Sequence, residues 1–120
     1  MAKSINQAVL LGNLTADPDF KTLPSGQGAV RFSLALNRSY PDKEGQTVEV
    51  TTYLDVVAYG KLAEQVSERL TKGSRALVEG RIDNRTWDDK ETGQRRSKYE
   101  ILANDVTFLD QSKSIEVQGE

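Results

Sequence analysis

The chain has 120 residues, no Cys and no His, and its 16 Lys plus Arg stand against 18 Asp plus Glu for a formal charge of -2. That length fits one domain with one core, and the missing residue types exclude disulfides, thiolate and imidazole catalysis, haem ligation and the usual structural zinc patterns. No apolar run approaches the roughly 18 residues of a membrane span, and Met1 to Ser4 lead only into a short apolar stretch at Val9 to Leu11, so secretion has no support.

The first predicted element is a strand over Ile5 to Leu14, where consecutive Val9, Leu10 and Leu11 offer apolar groups to both faces and predict cover on both sides. A loop follows at Asp17 to Gly28, with Pro18, Pro24, Gly26 and Gly28. Val30, Phe32, Leu34 and Leu36 then alternate with Arg31, Ser33, Ala35 and Asn37, the period of a strand with one buried face. After a loop at Ser39 to Gln46, Val48, Val50, Thr52, Leu54, Val56 and Ala58 share one parity. Glu49, Thr51, Tyr53, Asp55, Val57 and Tyr59 share the other, and its acids place it toward solvent. Beyond Gly60 the period changes. Leu62, Ala63, Val66 and Leu70 recur at helical spacing, with Gly73 as a left-handed stop and Arg69 and Lys72 near the carboxyl end of the dipole.

Ala76, Val78, Gly80 and Ile82 define the fourth strand, Trp87 to Gln94 read as a long hairpin tip, and a returning strand starts at Tyr99, Ile101 and Ala103. Its run to Leu109 is expected to be interrupted near Asn104 and Asp105. Five strands with a single helix between the third and fourth favour an all-β, partly open barrel over a layered α/β fold, which needs a helix in nearly every crossover. The domain is expected over residues 1-110, with 111-120 as a short acidic extension.

The charges are unevenly placed. Met1 to Leu109 hold 15 basic and 15 acidic residues, so the acidic surplus belongs to the tail. Arg81 to Lys98 and Arg31 to Lys43 are locally basic, although mixed charges also make an ordinary solvated surface. Tyr53 and Tyr59 share the outward parity of their strand, while Tyr40 and Trp87 stand in the flanking polar loops. A Tyr on a sheet is often simply a good β former, and a loop Trp can fold back as a core lid. Rings interleaved with basic groups also suit a single nucleic-acid strand, because any base can stack while Arg and Lys meet phosphates. Phe32 and Phe108 are assigned to the core.

Catalysis finds little support. The pairs Asp88, Asp89 and Asp17, Asp19 offer oxygens to a hard cation without a distinctive pattern, and Gly26-Gln27-Gly28 is too short for a phosphate cradle and leads into a strand. No catalytic residue, cofactor or metal is expected.

Val9 to Leu14 (VLLGNL), Asp17-Pro18, Gly28-Ala29-Val30, Phe32 to Leu36 (FSLAL), Tyr53 to Ala63 (YLDVVAYGKLA), Leu70, Lys72-Gly73, Val78 to Ile82 (VEGRI), Trp87 and Val106 to Leu109 together resemble the bacterial-type single-stranded DNA-binding protein family over roughly Ile5 to Leu109. The joined run YGKLAE, followed by KGS and VEGRI, is the specific part. The resemblance implies an OB-fold, a five-stranded Greek-key barrel, that binds single-stranded DNA without sequence preference in replication, recombination and repair, as a homotetramer located with the cytoplasmic nucleoid. It also implies stacking by Tyr40, Tyr53, Tyr59 and Trp87. Family members often carry Trp at the positions of Tyr40 and Tyr53, so stacking there is expected with a smaller ring. The candidates for phosphate contact are Arg31, Arg38, Lys43, Lys72, Arg85, Arg95, Arg96 and Lys98.

Family members usually continue through a Gly, Pro and Gln rich linker to an acidic tip that recruits replication and repair proteins. This sequence ends in SKSIEVQGE, so such partners are expected only if a tip lies beyond it. Two rival readings stay open: a related OB protein that binds single-stranded RNA or assists a primosome, and a β-barrel protein-interaction module.

Overall fold

The computed structural model describes residues 2-109; the expected acidic extension, 111-120, lies outside the described residues. Strands β1 (Ala8–Leu14), β2 (Asp19–Thr22), β3 (Gly28–Pro41) and β4 (Thr47–Tyr59) precede helix α1 (Lys61–Arg69), and β5 (Arg75–Asp88) and β6 (Arg95–Leu109) follow it. The sheet order is β1-β5-β6-β4-β3-β2, and β1 also pairs with β3. The five predicted strands therefore close into a ring, with β2 added at the edge of β3. Two seams are short: β1 meets β3 only at Asn13↔Ala35 and Leu14↔Leu34, and β4 runs parallel to β6 at Val56↔Ile101 and Val57↔Leu102. This is the all-β barrel expected from the order of elements, closed rather than partly open, and the OB-fold that the resemblance implies.

Alternation along β3 and β5 places Val30, Phe32, Leu34, Ala76 and Val78 inside, where they meet Val56, Ala58, Ile101, Ala103 and Val106. The helix plugs this core with Ala63, Val66 and Leu70. Leu70 ends α1 by turning extended (φ -111°, ψ 144°) with its side chain still buried. Gly73, expected as the helix stop, instead shapes the next turn, in which Ser74 N–H donates to the Thr71 carbonyl.

Two glycines let the ring close. A Cβ on Gly12 would stand 2.5 Å from the Ala35 carbonyl oxygen, where β1 leaves β5 to reach β3. One on Gly80 would stand 2.1 Å from the Leu102 carbonyl oxygen. The Gly80 contact coincides with a bulge: Glu79 faces Asp105 while Gly80 faces Ala103, which leaves Asn104 as the extra residue. The interruption expected near Asn104 and Asp105 is this bulge.

The arms are longer than periodicity suggests. Beyond the barrel, β3 and β4 continue as a hairpin to Pro41↔Thr47, and β5 and β6 to Asp88↔Arg95. Tyr40 and Trp87 consequently sit on strands rather than in loops. Each tip is fastened by an aspartate at its start: Asp42 Oδ1 accepts from the N–H groups of Glu44 and Gln46, both at 2.8 Å, and Asp89 Oδ1 accepts from Glu91 N–H at 2.8 Å.

The first strand is shorter than expected. Before Ala8, the Asn6 side chain takes over by donating to the Ile82 carbonyl (2.8 Å) and accepting from its N–H (2.9 Å). Within one chain β1 is also covered on one side only, with Val9 and Leu11 exposed. Among the described residues no helix is long and apolar enough to cross a membrane.

Candidate nucleic-acid interface

Directly paired residues point to the same face of a sheet, so the register assembles the outer surface. On β4, Tyr53, Asp55, Val57 and Tyr59 face outward; β3 sets Ala35, Ser33, Arg31 and Ala29 beside them. Val57 then leads to Leu102 of β6, and the β5–β6 ladder adds Arg81, Asp83↔Glu100, Arg85↔Lys98 and Trp87↔Arg96. Tyr53, Tyr59 and Trp87 thus share one surface. Tyr53 is 66% exposed and Trp87 36%, so Trp87 is not a core lid. Tyr40 is exposed as well, but it pairs with Val48 on the opposite parity and packs under the Arg38 guanidinium, 5.3 Å from the ring centre. Val57 departs from the expectation for its parity. It is only 4% exposed, because β6 lies alongside at Leu102 and Arg31 stands across from it on β3.

Between the rings runs a chain of charges. Arg31 Nη1 donates to Glu100 Oε1 at 2.7 Å, and Arg85 Nε lies 3.6 Å from the same oxygen. Asp55 accepts from Lys98 Nζ and has Arg31 Nη1 at 4.0 Å. Arg85 in turn lies 4.4 Å from the centre of the Trp87 ring. Three cations therefore share two carboxylates, which leaves a small positive excess held in fixed positions.

The remaining phosphate candidates fall into three groups. Arg95 and Arg96 pair with Asp88 (3.6 Å) and Asp89 (2.9 Å) at the tip of the second arm. Arg38 stacks on Tyr40. Lys43, in the tip of the first arm, and Lys72, at the opposite end of β5 from Trp87, are exposed and form no ion pair among the described residues. The Asp89 carboxyl titrates below the ordinary carboxylate range, chiefly because the Glu91 N–H donates to it and next because Arg96 does. Its oxygens are thus engaged within the turn, as is Asp17 Oδ1, which accepts from Lys72 N–H at 2.8 Å. No group of three or more His, Cys, Asp or Glu residues able to hold a metal occurs among the described residues.

Two features of this surface were not singled out from sequence. Arg81 is exposed on the same face; it opens the locally basic stretch and shares parity with Arg85 and Trp87, yet it is not among the phosphate candidates. Glu100 is the other, and its alternation with Tyr99 and Ile101 does place it outward; burial by two arginines leaves no trace in a pattern.

A small barrel carrying exposed rings and fixed cations on one outer surface defines an OB-fold nucleic-acid-binding module. The profile of the single-strand binding protein family matches residues 5–109, and the chain belongs to that family. It is 40% identical over 116 residues to the single-stranded DNA-binding protein of Aquifex aeolicus, an alignment that spans 97% of this chain and 78% of the other. With a single-stranded DNA-binding protein of Staphylococcus aureus it shares 35% identity, over 95% of this chain and 71% of that one. The Plasmodium falciparum SSB in complex with ssDNA superposes with a TM-score of 0.79 at 31% identity, covering 92% of this chain and 99% of that structure. The wild-type single-stranded DNA binding protein of Thermus aquaticus superposes with a TM-score of 0.76 at 34% identity, and the match covers 92% of this chain and about half (52%) of that one.

Proposed function

We propose that this protein binds single-stranded DNA without sequence preference and without catalysis, covering exposed strands during replication, recombination and repair. The observation that carries the reading is the shared outer surface of Tyr53, Tyr59 and Trp87 with Arg31, Arg85 and Lys98 between them. Rings accept any base, and the cations between them, shared with Glu100 and Asp55, give the path a weak positive field. Tyr40, on the other face of the first arm, engages a strand that wraps around that arm, with Arg38 and Lys43 beside it. Lys72, Arg95 and Arg96 extend the path beyond the rings.

The binding unit is an oligomer, with four copies as its full form. Val9 and Leu11 are exposed on β1, and Ala8, Leu10, Leu54, Ile82, Tyr99, Glu100 and Ile101 line an open, largely apolar concavity of about 410 Å³. Exposed apolar surface of this extent supports cover by further copies. We place the protein with the nucleoid, and assign recruitment of replication and repair enzymes to an acidic tip only where the protein continues past this chain.

Titration with poly-dT while following the sole tryptophan, Trp87, tests the function: quenching that saturates is expected. An unchanged signal with no complex in a mobility assay refutes it. Competition with RNA of matched sequence separates the RNA-binding alternative, which requires equal or tighter RNA binding. Sedimentation at several concentrations decides the four-copy assembly.

A further inference from the structure

We infer that Glu100 is a positioning residue for Trp87, acting through Arg85, so that the ring is set for stacking before a strand arrives. The inference rests on the single-strand binding reading and adds a device that prepares the surface.

Glu100 is the one buried charged residue among the described residues, at 5% exposure, although it stands on the outward parity of β6. Burying a carboxylate is costly unless cations meet it, and an apolar side chain would fill the place more cheaply. Here the cations are Arg31 at 2.7 Å and Arg85 at 3.6 Å. Arg85 presents its Nε edge to the acid, and its plane stays free. Trp87, two residues along the same face of β5, lies against that guanidinium at 4.4 Å. An ion pair at one edge restrains the guanidinium without covering its faces, and a cation over an indole face favours one ring orientation.

The neighbouring cations are turned elsewhere. Lys98, across from Arg85, goes to Asp55, and Arg96, across from Trp87, goes to Asp89. The acids therefore sort the bases by task, and Glu100 is the one that keeps Arg85 under the ring instead of at a phosphate.

Glu100→Gln and Arg85→Met test this, with thermal melting recorded for both. In the free protein each variant is expected to lower Trp87 fluorescence anisotropy and raise its quenching by acrylamide, and the double variant is expected to go no further than either alone. With poly-dT at high salt each should bind about two- to five-fold more weakly, the equivalent of an exposed cation–ring contact. For Glu100→Gln the plot of log affinity against log salt should become steeper by about 0.7 to 1.4, since one or two guanidiniums become available to phosphates. Arg85→Met leaves Glu100 paired with Arg31, so it carries the test if Glu100→Gln does not fold. Unchanged anisotropy and quenching in the folded variants would overturn the inference. Failure of the parent protein to bind poly-dT would instead overturn the binding reading, leaving the free-protein comparison intact.

Discussion

Replacing Gly80 by Ala probes the joint on which the Trp87 arm is mounted. The added carbon would lie 2.1 Å from the Leu102 carbonyl oxygen and 2.9 Å from Ala103 Cα. A carbon and a carbonyl oxygen ordinarily approach no closer than about 3.3 Å, so β5 and β6 must part by more than about 1 Å at the bulge. Both obstructing atoms are backbone, and no side chain can rotate away to relieve them. Overpacking of this kind costs about 1–3 kcal/mol, and losing a ladder hydrogen bond beside the bulge adds about 1 kcal/mol. A total near 3 kcal/mol lowers the melting temperature by roughly 10–15 °C for a domain of this length. Circular dichroism melts at one fixed protein concentration measure it, with Gly26→Ala as the comparison. A Cβ at Gly26 meets nothing within 4 Å, so only its φ of 92° is penalised, at about 1–2 kcal/mol. A Gly80→Ala protein that melts within about 2 °C of the parent, or above Gly26→Ala, would refute the close approach.

Alanine at Tyr53, Tyr59 or Trp87 should each weaken poly-dT binding by about 1–3 kcal/mol, roughly 5- to 150-fold, with melting little changed because all three rings face outward; a collapse in melting temperature would mean that they support the core. The salt dependence of binding should be shallow. Eight free phosphate contacts would give a slope near about -6 on logarithmic axes, whereas Arg31, Arg85, Lys98, Arg95 and Arg96 already have carboxylate partners. A slope that steep would show that these pairs break on binding. Because the Asp89 carboxyl titrates low in the folded protein, its contribution to the tip is complete above the ordinary carboxylate pKa of about 3.9 and is lost as pH falls through the lower folded value. Amide resonances of Glu91 and Thr92 should therefore move only in acid, and Asp89→Asn should abolish that step.

Where one face of a strand is buried, the sequence is legible. Val30, Phe32, Leu34 and Leu36 mark β3 without ambiguity, and Ala63, Val66 and Leu70 mark the helix. The arms have solvent on both faces, so no alternation marks residues 38-41 or 83-88, and Tyr40 and Trp87 read as loop residues. Strand β2 is hidden for the same reason: Asp19–Thr22 are all exposed and held by pairing with β3. Val57 shows the opposite failure. Its parity is right and its burial wrong, because cover comes from a strand more than forty residues later, at Leu102. The outward rings on β4 follow from parity alone, but the ion pairs among them join β3, β4, β5 and β6, a proximity that only the barrel creates.

Tyr53 and Tyr59 stand six residues apart on one strand, about 20 Å at the usual rise, with Trp87 on a separate arm. A polymer held at such spaced points behaves as a multivalent ligand. Releasing one base costs a single stack, while the remaining contacts keep the vacated ring at high local concentration of its neighbours. On the proposed stacking, exchange would proceed ring by ring, and the bound strand would shift its register along the surface without dissociating from it.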